Sequence, residues 1–368
     1  MPNALELMVT LKNLFFVVGL RFSKPTASLL AWLVVSLLEG REGRPFKLIG
    51  GLPDHKAKET KLQRLRRFLQ KKLGSPYLLL RAFLLFLSPL LASLPIVEIS
   101  IDRTDWEKRK QYVNILMVAL VYKGRGIPLF WIVLDYRGAS SFRLWKKVLT
   151  PVLREFKRLP GLSGKTMRIL GDREFASPKL AQWLTENWNA GFTLRLKRSE
   201  YLNLETGKST KLQKYLNQCQ KGMIFLFRNV TVTKNSDFPV NVLIAWPDDE
   251  AEPILLMSDL TLPEAILESY EHRFHIEPMF KDTKTNAFNL EQSRLTSPVR
   301  IGNLLIPMAI AIALSVLEGN TQEQNGNVKK PPQGKDRVEG LFRLGLREWT
   351  YQITRASLYK FKKFLFRF

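Results

Sequence analysis

Residues 96–102 read IVEISID and residues 167–172 read MRILGD. The first alternates apolar and polar side chains and is β-branched, which is the pattern of a strand. The second is a short apolar run closed by an acid, the pattern of a buried strand. Each ends on an aspartate, Asp102 and Asp172. A lone aspartate at a strand end is commonly a turn or capping residue. A pair says more. If the first and fourth strands of one sheet are neighbours, their ends lie side by side and two carboxylates share one small region. Like charges so placed repel unless a cation joins them. Hard oxygen ligands select Mg²⁺ or Mn²⁺.

The rest of the pattern builds outward from these two strands. YVNILMVALVY (112–122) and IPLFWIVLD (127–135) are apolar runs separated by a turn, Lys123 to Gly126, so 96–135 reads as an antiparallel meander. SFRLWKKVLTPVLREFK (141–157) has helical periodicity, broken or kinked at Pro151. SPKLAQWLTEN (177–187) reads as a helix with Ser177 as N-cap and Pro178 at the first helical position. FTLRLK (192–197) is a fifth strand, closed by Arg195, Lys197 and Arg198, which either meet a nucleic-acid backbone or form a solvated strand end. Residues 200–262 hold strand-like pieces at 223–233 and 240–246 and read as a β-rich insertion. Helical signals return from Leu262 to Leu317. Residues 1–95 read as a basic helical region, 319–340 as a polar loop and 341–368 as a basic, aromatic tail.

Composition narrows the function. Across 368 residues, 57 Lys and Arg face 33 Asp and Glu, a formal charge of +24. Such an excess attracts polyanions, with nucleic acid the default partner and an anionic membrane the rival. The stretch 41–81 holds twelve Lys or Arg against three acids. Within it, Leu62, Leu65, Phe68 and Leu69 recur at helical intervals and leave Lys61, Arg64, Arg67 and Lys71 on the other faces. Missing acids favour a phosphate-contacting helix over a merely solvated face. One cysteine, Cys219, excludes an intrachain disulfide framework and a cysteine-based zinc site, and fits a reducing, cytoplasmic setting. The apolar runs 82–98 and 304–316 are short for a bilayer span and are expected as buried core, with no membrane role.

The helical stretch 263–284 carries Tyr270, Arg273, Glu277 and Lys284 at offsets that fall on one helix face. Arg273 and Glu277 alone would be an ordinary i,i+4 ion pair. Together, the spacing Tyr-x2-Arg-x3-Glu-x6-Lys resembles the signature of a large group of bacterial insertion-sequence transposases of the DDE class. DRTDW at 102–106, VYKGRGIPLFW at 121–131 and GDREF at 171–175 are similar to that group's other motifs, in the same order. The element order of 96–197 is similar to the ribonuclease H fold. The resemblance covers roughly 96–317. It implies an α/β, ribonuclease H-like mixed sheet flanked by helices, interrupted by a β-rich insertion and preceded by a helical region that binds DNA ends.

By the same resemblance, Asp102, Asp172 and Glu277 would be catalytic and would hold two Mg²⁺ ions, or Mn²⁺, about 4 Å apart. Tyr270, Arg273 and Lys284 would bind phosphates of the transposon end. The activity implied is cut-and-paste transposition: cleavage at the ends of an element and joining of the 3′ ends to target DNA. The implied partners are double-stranded DNA and a second copy of the chain, in a synaptic homodimer in the bacterial cytoplasm. A structure-selective nuclease on the same fold and a catalytically inactive DNA-binding descendant are the alternatives.

Five features depart from the pattern or stay open. Pro278 follows Glu277, so the helix kinks there or a new one opens. Pro253 stands where the group commonly has a base-stacking tryptophan, leaving Trp246 either to stack on a base or to serve the core. Asp105 adds an acid where relatives often have Asn. Arg103 and Arg173 each follow an aspartate and either pair with it or meet DNA. For the tail, eleven Lys or Arg against three acids over 328–368 suggest an interaction role.

Overall fold

A computed structural model describes residues 2–20, 22–40, 42–52, 57–71, 73, 76–108, 110–204, 209–233, 236–327 and 340–355. Five helices come first: α1 (Pro2–Val17), α2 (Lys24–Leu38), α3 (Pro45–Leu48), α4 (Lys58–Gln70) and α5 (Pro76–Ser93). In α5, Leu80, Leu84, Leu87 and Leu91 are buried at intervals of three or four, so the apolar run faces the core. In α4, Leu65, Phe68 and Leu69 are buried, as the periodicity requires.

A meander follows: β1 (Ile96–Lys108), β2 (Gln111–Tyr122) and β3 (Arg125–Leu134). Tyr122 pairs with Arg125 across a two-residue turn, Lys123 and Gly124, both at positive φ. That backbone matches the right-handed twist of the strands it joins. Then come α6 (Phe142–Arg158), β4 (Thr166–Gly171), α7 (Pro178–Trp188) and β5 (Gly191–Arg195). Helix α6 runs on through Pro151, and α7 opens on Ser177 and Pro178 as the sequence suggests.

The sheet order is β3-β2-β1-β4-β5. β1 is antiparallel to β2 but parallel to β4, and β4 is parallel to β5. This mixed order, with helices packed against it, is the ribonuclease H-like fold. One expectation needs correction: Asp102 does not end β1. The strand continues to Lys108, because residues 103–108 keep pairing with β2 after β4 has stopped.

The strands of 200–262 do not form a separate sheet. They are β6 (Tyr201–Asn203), β7 (Ser209–Lys211), β8 (Ile224–Val232), β9 (Val240–Ala245) and β10 (Ile254–Ser258), with the short helix α8 (Leu212–Leu216) between β7 and β8. β10 runs antiparallel to β5, with Leu256 opposite Arg195, and the order continues β10-β9-β8-β6-β7. One ten-stranded sheet therefore spans both regions.

The chain then returns to the first half through α9 (Pro263–Arg273), α10 (Ile276–Lys281), a π-helical turn (Asp282–Asn286) and α11 (Pro298–Gln324). Among the described residues α11 is the one helix long and apolar enough to cross a membrane, yet most of its apolar window is buried inside the fold. It packs on β3, α2, α4 and α12 (Leu341–Arg355). Helix α11 also runs six residues into the stretch expected as polar loop, since Gln and Glu are good helix formers.

The first part of the tail is likewise core. Trp349 of α12 is fully buried and donates its indole N–H to Leu314 O at 3.1 Å. At Gly345 the two helices touch so closely that a Cβ would fall 1.7 Å from Ser315 O. Residues 328–339 of the expected loop and 356–368 of the tail lie outside the described residues.

Candidate active site

The sheet register brings the first two acids together. The last β1–β4 pair is Ile101 with Gly171, and Asp102 and Asp172 are the residues that follow each. The strands stop pairing there, so both side chains stand at the point where the sheet opens. Asp102 is largely buried. Arg103 N donates to its Oδ1 at 2.7 Å. Burial pushes its carboxyl up to about 6, against the pull of Arg273 and of that backbone N–H, and with Asp172 and Glu277 adding to the rise. Asp172 is about a third exposed, but its Oδ1 is buried with no hydrogen-bond partner.

Helix α9 and the α10 that follows it deliver Arg273 and the third acid. A buried hydroxyl chain fastens α9 to the sheet: Thr193 Oγ1 of β5 lies 3.1 Å from both Ser258 Oγ of β10 and Ser269 Oγ of α9. Helix α9 ends at Arg273, and Glu277 lies in the first turn of α10. Of the two outcomes left open at Pro278, the structure is nearer the second: a new helix, α10, opens at Ile276 and holds Pro278 in its first turn. Glu277 N donates to Phe274 O at 3.0 Å, and this tighter bond occupies the carbonyl that an N–H at position 278 would have used. The break is therefore satisfied locally. α10 is seated against β3, where a Cβ at Gly126 would lie 3.2 Å from Ile276 Cα and 3.3 Å from His275 O.

Arg273 is the centre of the site. Its side chain is 7% exposed. Nη1 lies 2.7 Å from Glu277 Oε1, while Nη2 lies 3.3 Å from Asp102 Oδ2 and 3.6 Å from Asp172 Oδ2. One guanidinium thus reaches all three predicted acids. The sequence placed Arg273 on the same helix face as Glu277 but did not show that it would stand among the carboxylates.

The other signature residues are dispersed. Tyr270 is buried. Its hydroxyl has no well-formed hydrogen bond, although Arg195 and Arg273 bear on it electrostatically, and burial raises its phenol. Lys284 sits on the π-helical turn and not on a continuation of α9. Its Nζ reaches Asp105 O at 2.9 Å and Glu291 Oε1 at 3.2 Å, and lies 5.5 Å from the Trp106 ring centroid. The single helix face expected across 270–284 is thus divided among three segments. Asp105 is half-exposed, with Arg103 Nη1 at 3.8 Å.

The side chains of Arg103 and Arg173 do not pair with the aspartate each follows. Arg103 Nε donates to Glu174 Oε2 at 2.9 Å and Arg173 Nη2 to Glu252 Oε1 at 2.8 Å. Arg195 and Arg198 also reach Glu252. Lys197 is exposed. Trp246 is half-buried and donates its indole N–H to Glu250 O at 3.1 Å. On the basic helix α4, Lys61 donates to Leu52 O, and just past its end Lys71 donates to Thr26 Oγ1; Arg64 is half-buried and Arg67 is exposed. Lys72 lies outside the described residues. None of these α4 residues is brought to the acids.

The three acids fit a hard divalent cation by donor chemistry. All are carboxylates, one buried oxygen of Asp172 lacks a partner, and a cationic group already stands between them. Among the described residues, however, no three His, Cys, Asp or Glu side chains converge closely enough to share one ion in this conformation.

Asp102 on β1, Asp172 just past the parallel neighbour β4 and Glu277 on α10 thus share one end of a ribonuclease H-like sheet. The chain belongs to the transposase DDE domain family, whose model matches residues 94–314. No curated protein sequence matches it. Among the solved structures that align with it are two at a TM-score of 0.24 each. The endonuclease V of Bacillus subtilis is 12% identical over 74% of this chain and 96% of that one. The Argonaute of Aquifex aeolicus is 13% identical over 57% of this chain and 28% of that one.

Proposed function

We propose that this chain is a cut-and-paste DNA transposase whose catalytic residues are Asp102, Asp172 and Glu277. The observation that carries the reading is the reach of the Arg273 guanidinium to all three carboxylates, which come from positions up to 175 residues apart. Two Mg²⁺ ions, with Mn²⁺ as substitute, would supply activation of the attacking oxygen and stabilisation of the leaving one. Asp102, Asp172 and Glu277 would hold them.

The remaining roles belong to the chain's own groups. Arg273 balances the acids in the metal-free state. It turns toward a DNA phosphate once another cation takes over that charge, since a buried guanidinium needs an anionic partner. Tyr270 backs Arg195 from below. Lys284, held by Asp105 O and Glu291, lies along β1 within reach of a strand that leaves the site. The outer face of α4, with Arg64 and Arg67, takes the backbone of the element's end, helped by the +24 charge. A second copy of the chain pairs the two ends.

The test is a cleavage assay on a labelled duplex carrying the element's own end, comparing wild type with Glu277→Ala, with and without Mg²⁺. Metal-dependent nicking at the end that vanishes in the variant, while DNA binding survives, supports the reading. Cleavage that persists in Glu277→Ala would mean that the third acid is misassigned. Binding without cleavage by the wild type would favour an inactive descendant.

A further inference from the structure

We propose that Arg173, Arg195 and Arg198 form a binding site for a DNA backbone phosphate beside the acidic centre, and that Glu252 occupies this site in the free protein and withdraws when the phosphate enters. The choice of DNA as the ligand rests on the transposase reading; the anion site itself does not.

Three guanidinium groups from separate places meet one carboxylate. Arg173 follows Asp172 beyond β4, Arg195 closes β5, and Arg198 lies in the loop after it. Arg173 Nη2 is 2.8 Å and Arg195 Nη2 3.4 Å from Glu252 Oε1, and Arg198 Nη2 bonds Glu252 Oε2. Both carboxylate oxygens are therefore gripped. The hydrogen bond from Arg173, with Arg198 next in importance, holds the Glu252 carboxyl below its ordinary range.

The charge does not close. One acid among three cations leaves an excess of two positive charges at a partly open surface, where Glu252 is 46% exposed and Arg173 and Arg198 are each 42% exposed. A clasp built only for stability needs no such excess, because exposed ion pairs contribute little. A phosphodiester offers two charged oxygens in much the same spread as a carboxylate, and arginine forks suit either group. The site also adjoins the acids through the chain itself: Arg173 neighbours Asp172, and the Arg195 guanidinium lies 6.0 Å from the ring centroid of Tyr270.

Glu252 is placed to leave without moving the fold. It stands two residues before β10, in the turn after β9. That turn is pinned by Trp246 Nε1 on Glu250 O and by Lys221 Nζ on Asp248 O. β10 is paired to β5 at Leu256 and Arg195. A rotamer change of one exposed side chain is enough to open the site, with no strand displaced.

The experiment uses the full-length chain in EDTA, where no cleavage occurs, and reads binding of a fluorescent 20-base-pair duplex by anisotropy across salt concentrations. Glu252→Gln is expected to tighten Kd about tenfold at 0.15 M salt and to steepen the salt dependence by about one phosphate. In a background carrying Arg173→Ala, Arg195→Ala and Arg198→Ala the same change should do nothing. An equal gain in both backgrounds would reduce Glu252 to a general charge effect and overturn the site. Weaker or unchanged binding by Glu252→Gln with a lowered melting temperature would show a structural clasp and overturn it too.

A second readout is the melting shift given by 10 mM inorganic phosphate, expected in Glu252→Gln and absent when the three arginines are replaced. If the wild type bound no duplex at all, the transposase reading would fall, and this phosphate shift would still decide the anion site.

Discussion

Arg273 Nη2 stands 3.3 Å from Asp102 Oδ2, so the first acid of the candidate centre is neutralised by a cation from its own chain. With Asp172 and Glu277 on the same guanidinium, the metal-free site is held by a protein cation in the place where its donor set suits a divalent one.

Removing that cation should be costly only in the absence of metal. Arg273→Ala leaves three carboxylates facing one another and is expected to destabilise the metal-free protein by about 3–5 kcal/mol. Millimolar Mg²⁺ or Mn²⁺ should recover most of the loss. Thermal melts in EDTA and in metal make the comparison; an equal loss in both would show that Arg273 and metal do not share the site.

The pH dependence of the metal-free fold has a definite sign. An unfolded aspartate titrates near 3.9, whereas Asp102 in the fold titrates at about 6. The fold therefore favours the protonated form, and stability falls as pH rises from about 4 to 6 before levelling off. The difference corresponds to about 3 kcal/mol. Asp102→Asn, which cannot ionise, should lack this component. Melting curves of the two proteins in EDTA between pH 4 and 8 decide it: parallel curves would mean that Asp102 is not the group responsible.

Pro278 should be unusually easy to replace. A proline inside a helix costs about 3 kcal/mol, but here Phe274 O is already bonded to Glu277 N. Pro278→Ala regains no missing bond and adds freedom to the unfolded chain, so a loss of about 0.4–1 kcal/mol is expected. A gain of 2 kcal/mol or more on denaturant unfolding would show that the junction is strained after all.

Gly126 acts on the site at a distance. Gly126→Val places new carbons against Ile276 and His275 and should cost about 1–3 kcal/mol by overpacking. The displaced segment is the one that carries Glu277. Cleavage should therefore fall well before DNA binding does, and equal losses of both would contradict the placement.

Much of 96–197 was legible in the sequence because β2, β4 and β5 are largely buried on both faces and its strands are separated by clear turns, which makes the apolar runs a strong signal. The two aspartates could be read from their position after apolar runs. Three things could not. The continuation of β1 to Lys108 depends on its partner β2, and a single strand does not display its partner. The spacing of Arg273 and Glu277 fixes a helix face but not what that face meets, so the guanidinium among the acids was invisible. The convergence of Arg173, Arg195 and Arg198 on Glu252 joins residues more than fifty positions apart through sheet pairing that has no local trace. Trp349 and its neighbours were masked by the surrounding basic residues, although their spacing on α12 is that of an amphipathic helix.

The position of the insertion also sets a schedule. Asp102 and Asp172 belong to strands that can pair as soon as β4 leaves the ribosome, but Glu277 emerges about a hundred residues later, after β6 to β10 have been made. At elongation rates of roughly 5–20 residues per second, the nascent chain spends on the order of 5–20 s with two of the acids and not the third. On this timetable the acidic cluster stays incomplete until most of the chain has been synthesised. Its last acid is made only after every described strand of the sheet.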